Sequence, residues 1–122
     1  MSYSTTIGVD LAKNVIQVSV VSEHGKELLN RSLTRKKFAE FLGKQNPALV
    51  SFEGCASAHY WARTAARLGH EVKIIPAKAV TPFRQGHKTD SNDALAVAEA
   101  ARRPNIKEAP VKSVSYTHLT LP

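Results

Sequence analysis

The tightest constraint on this chain is how little sequence separates its first three strand-like runs. Thr6 to Leu11 is short, mostly apolar and carries a carboxylate near its end. Val15 to Val21 is β-branched and alternating, the pattern of a half-buried strand. Glu27 to Ser32 follows after Glu23-His24-Gly25-Lys26, a turn in which Gly25 is free to take positive φ. A parallel crossover takes roughly a dozen residues or more, and neither connection has them. The three runs are therefore expected to pair as an antiparallel meander.

Beyond the meander the pattern changes to strands linked by helices. Thr34 is a plausible N-cap for a helix to about Gly43, with Phe38, Phe41 and Leu42 on one face. Gly43 stands where a helix commonly stops. Ala48 to Glu53 reads as a fourth strand that again ends at a carboxylate. Ser57 is the expected cap of a helix through Leu68, closed by Gly69, and Glu71 to Ile75 is a fifth strand stopped by Pro76. A short helix spans about Ala77 to Phe83, and a polar loop covers Arg84 to Thr89. The last helix runs from about Asp90 to Arg103, with Ala94, Ala98 and Ala101 permitting close packing and Pro104 ending it. The order β-β-β-α-β-α-β-α predicts an α/β fold, a mixed five-stranded sheet with helices on its faces.

Lys and Arg total 17 against 10 Asp and Glu, a net charge of +7 over 122 residues. That balance favours a polyanionic partner, nucleic acid first and a membrane surface second. Cys55 is the single cysteine, which excludes an internal disulfide framework and any multi-cysteine zinc site. We expect it to be an inert, buried thiol in a reducing cytoplasmic setting. No apolar run approaches the roughly 20 residues of a membrane span, and the start lacks the features of a signal peptide. A soluble, intracellular protein is expected.

Four carboxylates stand out by position. Asp10 ends the first strand, Glu53 ends the fourth, and Asp90 and Asp93 open the last helix at a spacing that shares one face. If the first and fourth strands are neighbours, Asp10 and Glu53 meet at adjacent strand ends, where open α/β sheets place ligands. Clustered carboxylates repel unless a cation lies between them, and Mg²⁺ suits all-oxygen donors. Two such ions would stabilise the attacking and leaving oxygens of phosphoryl transfer. The plainer alternatives are a helix cap for Asp90 and satisfied strand-end carboxylates for Asp10 and Glu53.

Three motifs carry a family resemblance: Ile7-Gly8-Val9-Asp10-Leu11-Ala12-Lys13-Asn14; Phe52-Glu53-Gly54-Cys55 leading to Ser57-Ala58-His59-Tyr60-Trp61; and Lys88-Thr89-Asp90-Ser91-Asn92-Asp93-Ala94. In order and together they resemble the N-terminal, RuvC-type RNase H-like domain of the DEDD transposases of the IS110 insertion-sequence family. The resemblance implies that Asp10, Glu53, Asp90 and Asp93 are the catalytic, metal-binding acids, holding Mg²⁺ or Mn²⁺ as two ions. It implies DNA as substrate, a structured guide RNA, a homo-oligomer in the full-length form, and the cytoplasm of a prokaryotic cell with no membrane partner. Full-length members carry a second, C-terminal domain that supplies a serine nucleophile, so no serine of this chain is assigned that role. Residues 1–113 are expected to form the domain. Residues 114–122 look unlike the family; Ser113 to Pro122 has no Asp, Glu, Lys or Arg, which favours a truncated gene with a foreign tail.

Lys13, Arg84, His87 and Lys88 flank the acidic positions and are candidates for holding a nucleic-acid backbone. Arg35-Lys36-Lys37 would suit phosphate, although such a run is usually a solvated face. His59-Tyr60-Trp61 offers a stacking surface, with Tyr60 and Trp61 expected to divide between groove and core. His24 and His70 fall in turns and suggest nothing specific. Two other classes stay open: a non-catalytic module gripping nucleic acid by charge, and a nucleotide-binding domain of the actin–hexokinase class. The latter shares a strand ending Gly8-Val9-Asp10 but needs a second lobe and a Gly-rich adenosine segment, neither evident here.

Overall fold

Gly25 takes φ 87° in the turn that folds the second strand onto the third, where the Ser22 amide donates to Lys26 O at 2.8 Å. The structure, a computed structural model, describes residues 5–11, 15–55, 57–83 and 90–103, with side chains in the last segment from residue 93 onward. The meander comprises β1 (Thr5–Leu11), β2 (Ile16–Ser22) and β3 (Glu27–Leu33); then come α1 (Arg35–Lys44), β4 (Leu49–Glu53), α2 (Ala58–Arg67) and β5 (Glu71–Ile75). A short α3 (Ala77–Val80), a 3₁₀ turn (Thr81–Phe83) and α4 (Asp90–Ala101) complete the described elements. The strand order is β3-β2-β1-β4-β5. β1–β2 and β2–β3 pair antiparallel, and β1–β4 and β4–β5 pair parallel. The mixed five-stranded α/β sheet is as expected, because a short turn permits only antiparallel return and a helix permits parallel return.

The alternation along each strand separates two layers. Ile7, Val9, Val18, Val50 and Phe52 point to one face and bury Phe38 and Leu42 of α1 and Trp61, Ala62 and Ala65 of α2. Phe38 and Trp61 meet edge to face with ring centroids 4.8 Å apart, a favoured geometry for aromatic quadrupoles. The opposite face is covered by α4, which packs across β1 and β2. It continues into a smaller cluster of Ile75, Val80, Ala96, Val97 and Ala100.

Several details differ from expectation. Thr34 caps α1 through Oγ1, accepting the Lys37 amide at 3.2 Å, but the helix passes through Gly43 and ends at Lys44. Ser57 makes no side-chain cap bond, since its own backbone is helical; its Oγ lies 3.7 Å from Cys55 Sγ. Cys55 is exposed, not buried, because the chain has left β4 by that point. Helix α4 closes at Ala101, two residues before the expected end, with the Arg102 amide turning back to Glu99 O. Pro104 and residues 114–122 lie outside the described residues.

His70 is the largest departure, since it is buried between elements. Its Nδ1 accepts the Ala48 amide at 3.1 Å, so Nε2 carries the proton and donates to Leu42 O at 2.8 Å. One ring thus ties the end of α1 to the entry of β4. His70→Ala would leave a buried donor and a buried acceptor unpaired, and a cavity beside them. We expect a loss of about 2–4 kcal/mol in urea unfolding, and an unchanged midpoint would disprove this bridging role.

Candidate functional site

The site begins with the parallel register of β1 and β4. Gly8 pairs with Ser51 and Val9 with Phe52; the next residue on each strand is Asp10 or Glu53. Adjacent strands lie about 4.8 Å apart. By the period of two, Asp10 shares a face with Gly8, and Glu53 with Ser51. That is the α4 face: Ser51 Oγ stands 3.2 Å from Ile7 O and 3.4 Å from Val97 O, fastening β4 to β1 and to the helix.

Gly8 allows α4 to come so close. A Cβ built there would fall 2.5 Å from Ala98 N and 2.7 Å from Ala98 Cβ, and would also collide with Ala94 O. The direction of α4 follows from its far end. Arg102 Nη2 donates to Glu23 O at 2.9 Å in the β2–β3 turn, and Lys73 Nζ donates to Ala101 O at 3.3 Å. That turn is at the opposite end of the sheet from Asp10, since Ser22 pairs with Thr5. The first turn of α4 therefore lies at the Asp10–Glu53 end, and Asp93 is nearly buried there.

A side-chain ladder flanks Asp10 on the same face. Gln17 stands opposite Asp10 and Ser19 opposite Gly8. Gln17 Nε2 donates to Asn30 Oδ1 at 2.6 Å, and Gln17 Oε1 accepts from Ser32 Oγ at 2.6 Å. Ser19 Oγ and Asn30 Nδ2 both donate to Glu27 Oε2, at 2.6 and 2.7 Å. These bonds hold Gln17 rigid beside the carboxylate. Sequence reasoning missed the ladder, although the polar members of alternating β2 signalled it.

Asp10, Glu53 and Asp93 thus come to one end and one face, and Asp10 and Glu53 are half-buried. Asp90 opens α4, but its side chain lies outside the described residues, as do Lys13, Arg84, His87 and Lys88. Among the described residues, no three His, Cys, Asp or Glu side chains are gathered tightly enough to hold an ion between them. Carboxylate oxygens are the donors that a hard divalent cation prefers. Tyr60 is 55% exposed and Trp61 is 5% exposed, dividing between solvent and core as expected. Arg35, Lys36 and Lys37 are exposed. Among the described residues no helix is long and apolar enough to cross a membrane.

The family model of the IS110-type DEDD transposases, described as transposase, matches residues 7–121. The chain belongs to this transposase family. Among curated relatives, this IS110-family chain is 46% identical over 107 residues to a probable family 20 transposase of Pseudomonas aeruginosa, covering 88% of this chain and 32% of that protein. It is 40% identical over 102 residues to the transposase for insertion sequence element IS1328 of Yersinia enterocolitica, covering 84% of this chain and 30% of that one. The chain spans about a third of the length of these relatives. Its fold is similar to T. thermophilus RuvC in complex with Holliday junction substrate, with a TM-score of 0.62 and 13% identity, covering 88% of this chain and all of that one. The RNase H-like fold expected from the motifs is the fold found.

Proposed function

We propose that this chain is the catalytic domain of a DNA transposase, with Asp10, Glu53, Asp90 and Asp93 holding divalent metal for phosphoryl transfer on DNA. The observation that supports this reading is the parallel register of β1 and β4, which runs to Val9 and Phe52 and so carries the next residues, Asp10 and Glu53, to the same end of the sheet. Membership of a transposase family supports it. So does the RuvC-like fold, whose solved counterpart is a complex with a Holliday junction substrate.

Mg²⁺ or Mn²⁺, as two ions, would stabilise the charge that develops on the attacking and leaving oxygens. In this reading the chain's own part is to carry the carboxylates to one end of the sheet, where a bound ion would draw them together. Glu53 is carried by the strand end next to that of Asp10, and Asp93 is held by a helix that cannot slide, because Gly8 and Ser51 lock it. The Gln17 ladder gives Asp10 a rigid neighbour. Lys13, Arg84, His87 and Lys88 are proposed to hold the sugar–phosphate backbone beside the acids. A structured guide RNA and a homo-oligomeric, cytoplasmic assembly belong to the same reading, as does residues 1–113 forming the domain.

Calorimetric titration of the whole chain with Mn²⁺ tests it. Wild type should give a binding isotherm, and Glu53→Gln should weaken it at least tenfold while the circular dichroism spectrum is unchanged. A folded wild-type chain that takes up no Mn²⁺ would leave a module that binds nucleic acid by charge alone.

A further inference from the structure

On the face of the sheet away from the carboxylates, β3 and α1 enclose a cleft of about 180 Å³ lined by Arg31, Lys37, Glu40, Phe41, Lys44 and Gln45. We propose that this cleft binds the sugar–phosphate backbone of a nucleic-acid strand, at a place separate from the acidic site. The proposal rests on the transposase reading for its class of partner, but not on the metal.

Arg31 pairs with Val18, whose side chain belongs to the core under α1. It therefore projects to the α1 side, opposite to Asp10 and Gln17. Lys37 and Lys44 are seven residues apart on α1, two turns along one side and roughly 10 Å apart along the axis. Three cations spread around the cleft outnumber its one carboxylate, Glu40, and the spacing of the two lysines suits successive phosphates better than one small anion. Phe41 is 9% exposed and forms an apolar floor, against which a sugar can pack while its phosphates meet the cations.

The charge is concentrated there. Residues 31–44 hold five Lys or Arg and one Glu, so this stretch carries a net +4 of the chain's +7. Helix stability does not call for that arrangement. Arg35, Lys36 and Lys37 occupy the first turn, which has no acidic residue, and cations there oppose the helix dipole. A bound polyanion would offset that cost. Because the sheet stands between the cleft and the carboxylates, the stretch of backbone held in the cleft is not the stretch presented to Asp10 and Glu53. The cleft anchors a stretch of nucleic acid away from the reacting phosphate.

The test is fluorescence anisotropy of the whole chain, over a range of salt concentrations, with a labelled single-stranded RNA and a labelled DNA duplex of equal length. The variant Arg31→Ser/Lys37→Ser/Lys44→Ser is set against Lys26→Ser/Arg67→Ser/Lys78→Ser, which removes equal charge elsewhere. Each phosphate contact contributes about 0.9 to the salt slope on duplex and about 0.7 on single strands. The cleft variant should lower the slope by about 2 if its preferred probe is the single strand, or by nearly ~3 if it is the duplex, and weaken binding at least tenfold at near-physiological salt. The control should lower the slope by less than one. The probe that shows the difference identifies RNA or DNA as the occupant. Equal losses in the two variants, or no loss with either probe, overturn the proposal. If the triple variant fails to fold, Lys44→Glu alone should lower the slope by about one, and an unchanged slope overturns the proposal equally. Mn²⁺ titration of the same proteins keeps the readings apart, since failure to bind metal with the cleft difference intact removes only the catalytic reading.

Discussion

Gly8→Ala is expected to cost about 3 kcal/mol of stability and to lift the N-terminal half of α4 from the sheet. Overpacking a filled core usually costs about 1–3 kcal/mol. This position belongs at the upper end, because the neighbours at 2.5 and 2.7 Å are a helix amide nitrogen and a β-carbon. Neither has a rotamer into which it can retreat. Were α4 loosely held, the same change would stabilise by roughly 0.5–1 kcal/mol, because glycine loses more backbone entropy on folding than alanine. The two cases therefore differ in sign, and urea unfolding of Gly8→Ala decides between them. Asp93 travels with α4, so Mn²⁺ affinity should also fall under conditions where the variant remains folded. A methyl group at a position with no chemistry of its own would then disable the acidic site through the helix.

Asp10→Asn should abolish thermal stabilisation by divalent metal. An ion that binds only the folded state adds RT ln(1 + [L]/Kd), about 2.7 kcal/mol at a hundred times Kd. For a chain of this length that corresponds to a rise in melting temperature of roughly 10 °C. In the proposed site the gain depends on carboxylates from three elements being drawn together by a cation that none of them could hold alone. Asparagine keeps the shape but removes the charge, so the variant should melt at one temperature with or without Mn²⁺. Differential scanning calorimetry reads this directly, and a rise in Asp10→Asn equal to wild type would remove Asp10 from the site. Asp10→Asn and Glu53→Gln should not add when combined, because either alone empties a shared site.

The meander was legible because two short connections leave no other pairing, and Gly25 marks its turn. The helix-linked strands were legible because Pro47 and Pro76 punctuate them and the apolar period changes between two and nearly four. Asp10 and Glu53 could be picked out because each ends an apolar strand. Other features were hidden for physical reasons. His70 follows a helix-closing glycine and reads as a surface turn; only the packing of α1 against the start of β4 gives its two ring nitrogens partners. Ser57 precedes a helix, as a cap does, but a helical backbone at that residue turns the hydroxyl away from the amides it would bond. The cleft joins Arg31, on a strand, to Lys44, thirteen residues later on a helix, and no local pattern connects them.

The sequence by itself determined the elements, their order, the two faces of each strand and the residue types capable of holding a cation, because these depend on local period, turn length and side-chain chemistry. The tertiary structure decided which of those residues share one end and one face of the sheet. The β1–β4 register, the seating of α4 on Gly8 and the separation of an acidic face from a basic one all arise from contacts between segments far apart in the chain. Such contacts are set by shape and by which surfaces can be buried together, and neither is written in any short stretch of residues.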